Sequence, residues 1–214
     1  MASAAEQMAA NTSWATLVKA KDLRQRIVFA IGLLIVYRIG TYIPVPGIDG
    51  AQLREFMSDA AAGIGGMLNM FTGGAIARMG IFALGIMPYI SASIIVQLVA
   101  SMYGPWQNLR KEGELGRRKL NQYTRYGTVF LALVQSYALA VSLEAGDLAT
   151  DPGWFFRIST IITLVGGTLF LMWIGEQITA RGIGNGTSLI IFVGIIAEVP
   201  AQLAQFLAQG RTGT

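Results

Sequence analysis

The 214-residue sequence contains no histidine and no cysteine. Their absence excludes disulfide bonds, thiolate chemistry, and any zinc, haem or Ser–His site that depends on an imidazole. Charged residues are also scarce, at 13% of the chain, whereas an average soluble domain has about 25%. Hydrophobic residues make up 53%. This composition favours a membrane protein, and we expect neither an enzymatic reaction nor a metal or cofactor.

The stretch 79–103, MGIFALGIMPYISASIIVQLVASMY, carries no charge. At ~1.5 Å per residue a helix of this length is roughly 37 Å long, more than the ~30 Å hydrocarbon core of a bilayer. Pro88 removes one backbone hydrogen bond and is expected to kink the helix near its middle. The stretch therefore predicts a membrane span over residues 78–102.

Four further apolar stretches predict spans, so that the chain would cross the bilayer five times. They cover residues 26–43, 126–143, 155–175 and 187–209. The segments around them are an N-terminal amphipathic segment (1–25), an outer loop (44–77), a basic loop (103–125), an outer loop (144–154), a further loop (176–186) and a C-terminal stub (210–214).

Two charged residues, Arg38 and Glu198, fall inside the predicted spans and away from the span ends. A charge there costs several kcal/mol unless it reaches the membrane surface or finds a partner. For Arg38 both solutions remain open. The small residues at 166–168, inside the fourth span, allow a neighbouring segment to approach closely.

Residues 60–77 are uncharged and rich in glycine. They are too broken for a span and too apolar for an ordinary surface loop. Irregular backbone at membrane depth is tolerated where it is buried in protein or lines a cavity. Two structures are compatible with the pattern: a short half-helix that dips back into the protein, or a glycine-rich surface loop.

The positive charges predict the orientation. The N-terminal segment and the 103–125 loop hold most of the Lys and Arg, whereas the other side would hold only Arg54, Arg78, Arg157 and Arg211. By the positive-inside rule the N-terminus is cytoplasmic and residue 214 lies on the outer side. The basic loop either sets this topology or also binds phosphates of anionic lipids or RNA.

Four longer blocks of sequence identify a family. They are YRIGTYIPVPGID (37–49), MFTGGAIARMGIFALGIMPYISASIIVQL (70–98), KEGELGRRKLNQYTRYGT (111–128) and MWIGEQITARGIGNGTSLIIF (172–192). Together they closely resemble the bacterial SecY family of protein-conducting channel subunits, and the resemblance extends from about residue 24 to residue 209.

The resemblance implies an all-α polytopic membrane protein. Members of the family have ten spans in two halves related by inverted topology, and this chain matches the first half. The expected fold is five transmembrane helices plus a re-entrant plug half-helix at about residues 65–73, which together form one half of an inverted-repeat channel.

The resemblance also implies roles for individual residues. Ile86, Ile90 and Ile191 would belong to a hydrophobic pore ring, and Thr187 stands where some relatives carry a further ring isoleucine. The plug would contain Gly65, Gly66, Met67, Leu68, Asn69, Met70, Phe71, Thr72 and Gly73. A polar cluster at the lateral gate would contain Ser91, Gln97, Gln135 and Asn185. No residue is expected to be catalytic or to bind a metal.

The implied function is that of the central channel subunit of a Sec translocase in the bacterial inner (plasma) membrane. It would pass unfolded secretory proteins across the membrane and release membrane segments sideways into lipid. The implied partners are SecE, SecG, the SecA motor ATPase, the ribosome, polypeptides bearing signal sequences, anionic lipids and the C-terminal half of the channel. Half of an inverted-repeat transporter for a small solute is the alternative.

Overall fold

The structure is a computed structural model that describes residues 21–50, 52–53, 69–70 and 72–212, with side chains described as far as residue 200 and at 203, 204 and 207. Within these ranges the six named helices, α1 to α6, are Lys21–Gly40, Met87–Met102, Gly104–Lys111, Glu114–Ala145, Trp154–Arg181 and Gly186–Thr212. The described residues form no strand, and their only β-type pairings are two isolated bridges, Pro44 with Gly80 and Ile48 with Ala149.

Of the described helices, α4 and α5 are each long and apolar enough to cross a membrane. A third crossing is added if α2 and α3, which meet at an angle of 101°, are counted together. The apolar part of α6, Gly186–Pro200, is shorter. The chain is therefore helical with two or three candidate spans, and five spans remain a prediction.

Large apolar side chains cover the outside of the helices. Examples are Ile35 and Ile39 on α1, Leu98 on α2, and Phe130 on α4, all more than half exposed. A soluble protein rarely exposes so continuous an apolar surface. This surface fits a lipid environment.

The second predicted span differs from its expected form. Residues 72–86 lie in turns, and α2 begins only at Met87. Pro88 therefore occupies the first turn of the helix, where a missing N–H leaves no hydrogen bond unmade. The expectation of a kink at Pro88 was wrong for this reason.

The basic 103–125 segment is helical rather than an open loop. It contains α3 and the first turns of α4, and the backbone bends between them at Gly113, with φ of 71°. The rings of Trp106 and Tyr123 stack at 4.7 Å between centroids and join the two helices. A Cβ on Gly116 would overlap the carbonyl oxygen of Leu109, so only glycine permits this tight hairpin.

Small residues form the seam where α2 packs against α4. On both helices the buried side chains recur every fourth position, so that successive buried residues are neighbours on the helix surface. They are Ala92, Val96 and Ala100 on α2, and Thr124, Thr128, Ala132, Ser136 and Ala140 on α4. Small residues at this spacing allow two helix backbones to approach closely.

Candidate functional site

The 72–86 segment is inserted among the helices and organises the site. Phe82 is buried at its centre, and its ring stacks on Tyr37 of α1 and Phe170 of α5, each at 6.1 Å between centroids. The ring also fills the position where Gly40 would carry a Cβ. Local hydrogen bonds pair the polar backbone groups of this irregular segment; for example, the Gly85 N–H donates to the Phe82 carbonyl oxygen at 2.8 Å. The segment is therefore packed between α1 and α5.

Two of the three predicted pore-ring residues meet at the end of this segment. Ile86 and Ile191 line one small cavity, together with Thr72, Gly85 and Leu171. Ile86 is 7% exposed and packs within the apolar core. The cavity wall also contains Tyr37 and Ile190.

The third predicted ring residue, Ile90, lines a larger open groove of about 750 Å³ between α2, α4, α5 and α6. Ile191 and Thr187 face the same groove. The structure thus brings Ile90 and Ile191 to one concave surface, and Ile191 connects this groove to the small cavity beside Thr72.

The wall of the groove carries an ion pair that the sequence did not predict. Arg125 on α4 donates from Nε to Glu176 Oε1 at 2.8 Å, and from Nη2 to Glu176 Oε2 at 2.6 Å. The bidentate geometry ties α4 to α5 at a defined distance. The partners are 51 residues apart in sequence, so no local spacing links them.

Only part of the predicted plug can be placed. Asn69, Met70, Thr72 and Gly73 are among the described residues, whereas Gly65, Gly66, Met67, Leu68 and Phe71 lie outside them. Asn69 organises the turn that follows: its Oδ1 accepts from the Ala77 amide at 2.8 Å, and its carbonyl oxygen accepts from the Gly74 amide at 2.9 Å.

The four residues of the predicted polar cluster are placed separately. Gln97 donates to Ser93 Oγ at 3.0 Å. Asn185 caps α6, because its Oδ1 accepts from the amides of Thr187 at 3.0 Å and Ser188 at 3.4 Å. Ser91 and Gln135 are partly buried. In the part of the chain that the structure describes, no hydrogen bond joins the four residues to one another.

Arg38 makes one partly buried and one exposed polar contact, which lies between its two expected solutions. Its Nη1 donates to the carbonyl oxygen of Gly73 at 2.6 Å, and its Nη2 donates to the Tyr42 hydroxyl at 3.2 Å. The side chain is partly buried. It links α1 to the turn at the start of the inserted segment.

The arrangement places a small, mostly apolar cavity beside a groove that is lined by both polar and apolar side chains. Across residues 21–50 and 72–200 and the short pieces between them, no group of three or more acidic, His or Cys residues could hold a metal ion. The side chains that line the cavity and the groove can make apolar contacts, hydrogen bonds and an ion pair.

Comparisons with known proteins agree with the resemblance noted in the sequence. The SecY family model matches residues 80–213. The chain is 56% identical over 197 residues to the protein translocase subunit SecY of Rickettsia conorii, which covers 90% of this chain and 46% of the relative. The corresponding subunit of Escherichia coli is 52% identical over 196 residues, covering 90% and 44%. That of Buchnera aphidicola is 51% identical over 196 residues, covering 90% and 55%.

The chain spans about half the length of the curated relatives that it matches. The matched family model covers more than half of the chain, and the identity to each relative extends over 90% of it. The matched regions include residues 80–86 of the inserted segment, the residues that line the groove, and the whole of α2, α4 and α5. The chain belongs to the SecY family.

Proposed function

We propose that this chain is the first half of the central channel subunit of a Sec translocase, and that Ile86, Ile90 and Ile191 belong to its pore ring. The observation that carries the proposal is the placement of Ile191, which lines both the groove that holds Ile90 and the cavity that holds Ile86. Family membership supports the transport role, as does the similarity to relatives that are protein translocase subunits.

An apolar ring explains how such a channel stays closed to ions yet passes a polypeptide. A narrow constriction of branched apolar side chains resists wetting and can gate by dewetting. Contact with it is non-directional, so the ring seals around a passing chain of any sequence. Thr187 lines the same groove and makes this half of the ring less apolar than a further isoleucine would.

The proposal also covers the groove and the inserted segment. The groove between α2, α4, α5 and α6 is one wall of the cytoplasmic vestibule, and the turn at Thr72 and Gly73 is the base of the plug. Helices α2 and α4 form one side of the lateral gate, with Ser91, Gln97, Gln135 and Asn185 as its polar residues. A substrate segment leaves sideways when about 20 apolar residues are more stable in lipid than in the pore.

Topology and partners follow from the same proposal. The chain crosses the bacterial inner membrane five times, with the N-terminus cytoplasmic and residue 214 outside, as the positive charges predict. The second half of the channel completes the pore. SecE and SecG accompany it in the membrane, while SecA or the ribosome supplies substrates with signal sequences. Exposed basic residues on α3 and α4 face anionic lipids.

The test is the ion conductance of the complete, closed channel in planar bilayers. Ile90→Ser is expected to raise it several-fold, because a hydroxyl in the ring favours wetting. Ile95→Ser is the matched control: it lies on the same helix, is 51% exposed and does not line the groove. Equal conductance of Ile90→Ser and the parent channel would contradict the proposal. A small-solute transporter would instead show solute-dependent proton or sodium flux in vesicles.

A further inference from the structure

The groove between α2, α4, α5 and α6 has two charged residues among the described side chains that line it, Arg125 and Glu176. They are paired with each other through two hydrogen bonds, at 2.8 Å and 2.6 Å. The other polar side chains of the wall are uncharged amides and hydroxyls, such as those of Asn121, Gln177 and Ser188. The described wall of the groove therefore carries no net charge.

The cleft beside the groove is basic instead. It has a volume of about 390 Å³ and shares Ser93 and Asn121 with the groove. Arg110 and Arg117 line this cleft, and both side chains are exposed. Neither of them forms an ion pair with any residue that the structure describes. The positive charge of this part of the chain thus extends up to the edge of the groove and is balanced inside it.

The balance inside the groove depends on Glu176. The side chain of Arg125 is 51% exposed, so without the carboxylate its positive charge would face the open groove. A counter-charge in direct contact cancels that field at short range, whereas salt screens charges only beyond about 8 Å. An ion pair with this exposure contributes little to stability. Its larger effect is on the electrostatic potential of the groove.

We propose that the Arg125–Glu176 pair keeps the groove electrically neutral, so that polypeptide segments of either charge can enter it. Arg125 and Glu176 are then specificity-determining residues, because the loss of either one leaves the wall with the charge of the other. A wall with a net charge attracts segments of opposite charge and repels those of like charge. The inference rests on the proposed channel function, since it takes the groove as part of the path of the polypeptide.

The first measurement reports the potential in the groove of the complete channel, whose other half is made free of cysteine. Asn121→Cys introduces the only thiol, because this chain contains no cysteine. Residue 121 is exposed, lines the groove and lies four residues before Arg125 on α4. The thiol is labelled with two methanethiosulfonates, one bearing a sulfonate and one a trimethylammonium group. The ratio of the two rates reports the potential, because a change in the thiolate fraction affects both rates equally.

The two single variants are expected to shift this ratio in opposite directions. Glu176→Gln should raise the rate of the anionic reagent relative to the cationic one several-fold, and Arg125→Gln should lower it several-fold. The double variant Arg125→Gln/Glu176→Gln should return the ratio close to that of the parent. A merely structural role of the ion pair would not be rescued in this way, because the double variant lacks the pair as completely as the single variants do.

Glu144→Gln is the matched control. Glu144 also pairs with an arginine, Arg157, but neither residue lines the groove. The labelling ratio at residue 121 is expected to stay at the parent value in this variant. Should Glu176→Gln fail to fold, the charge-reversed pair Arg125→Glu/Glu176→Arg replaces it, and its ratio should resemble that of the parent while that of Arg125→Gln does not.

The second measurement is the translocation of three substrates that differ only in one short segment, rich in lysine, glutamate or serine. Glu176→Gln is expected to favour the glutamate-rich substrate over the lysine-rich one several-fold, and Arg125→Gln is expected to do the reverse. The double variant should pass both as the parent does. The serine-rich substrate should be translocated at similar rates by all four channels.

Equal labelling ratios in the parent and both single variants would overturn the neutral groove. So would single variants that pass the lysine-rich and glutamate-rich substrates in the same proportion as the parent, and in that case the channel function would stand. A parent channel that translocates none of the three substrates would instead contradict the proposed function itself, and with it this inference.

Discussion

The carbonyl oxygen of Ile81 occupies the position where Gly167 would carry a Cβ. The inserted segment thereby packs backbone to backbone against the middle of α5. No side chain can be added at Gly167 unless the segment moves, whereas neighbouring Gly166 has open space around the same position.

This contact predicts opposite outcomes for two adjacent substitutions. Gly167→Ala is expected to destabilise the protein by about 1–3 kcal/mol, the usual cost of overpacking. Gly166→Ala should be neutral or slightly stabilising, because alanine favours helix and meets nothing. Melting temperature in detergent measures both, with about 2–4 °C expected for each kcal/mol. Equal melting temperatures for the two variants would contradict the packing.

Substitutions of Thr187 test whether added apolar surface makes the proposed pore ring less permeable to ions. In the leaky Ile90→Ser background, Thr187→Ile is expected to lower the ion conductance, because it adds apolar surface to the groove. Thr187→Val, which replaces the hydroxyl with a methyl group at the same shape, should give a smaller reduction. Conductance that stays at the Ile90→Ser level in both double variants would place Thr187 away from the seal.

The capping role of Asn185 can be tested by comparing two substitutions. As the cap of α6 it should tolerate Asn185→Asp, which keeps an acceptor at the helix N-terminus, and lose about 1 kcal/mol of stability on Asn185→Ala. Thermal unfolding of the two variants distinguishes them. If the aspartate variant were as unstable as the alanine variant, the amide group would be needed for something other than capping.

The two interhelical ion pairs found among the described residues should differ in strength. Arg157 Nε and Glu144 Oε2 are 2.5 Å apart, with side chains 30% and 16% exposed, whereas Arg125 and Glu176 are 51% and 31% exposed. Exposed pairs contribute about 0–1 kcal/mol. Double-mutant cycles with alanine are therefore expected to give a larger coupling energy for Glu144–Arg157. A larger value for Arg125–Glu176 would contradict this order.

The sequence predicts those features of the molecule whose signals are local. Apolar length identified the helices α4 and α5, and the small residues at 166–168 indicated a close approach. The sequence could not say that Gly167, rather than Gly166, makes the contact, because that depends on which face of α5 meets a segment more than 80 residues earlier. Arg38 is similar: its acceptor on Gly73 is 35 residues away.

The largest difference between the predicted and the observed fold is the start of α2. Its physical cause is also packing against residues that are distant in the sequence. Residues 79–86 are apolar enough for a helix, but Phe82 packs against Gly40 and Ile81 against Gly167 only because the backbone there is turned. Tertiary packing outweighs the local preference. Proline then begins the helix instead of bending it.

The α2–α4 seam has a mechanical consequence. Its buried side chains are mostly alanine, serine and threonine, so few long side chains must disengage or re-form when the pair tilts. The two helices should therefore move together as one rigid unit. Spin labels on the outer faces of α2 and α4 would then keep a constant separation while a polypeptide passes through the complete channel, and the channel would widen at the edge of this unit.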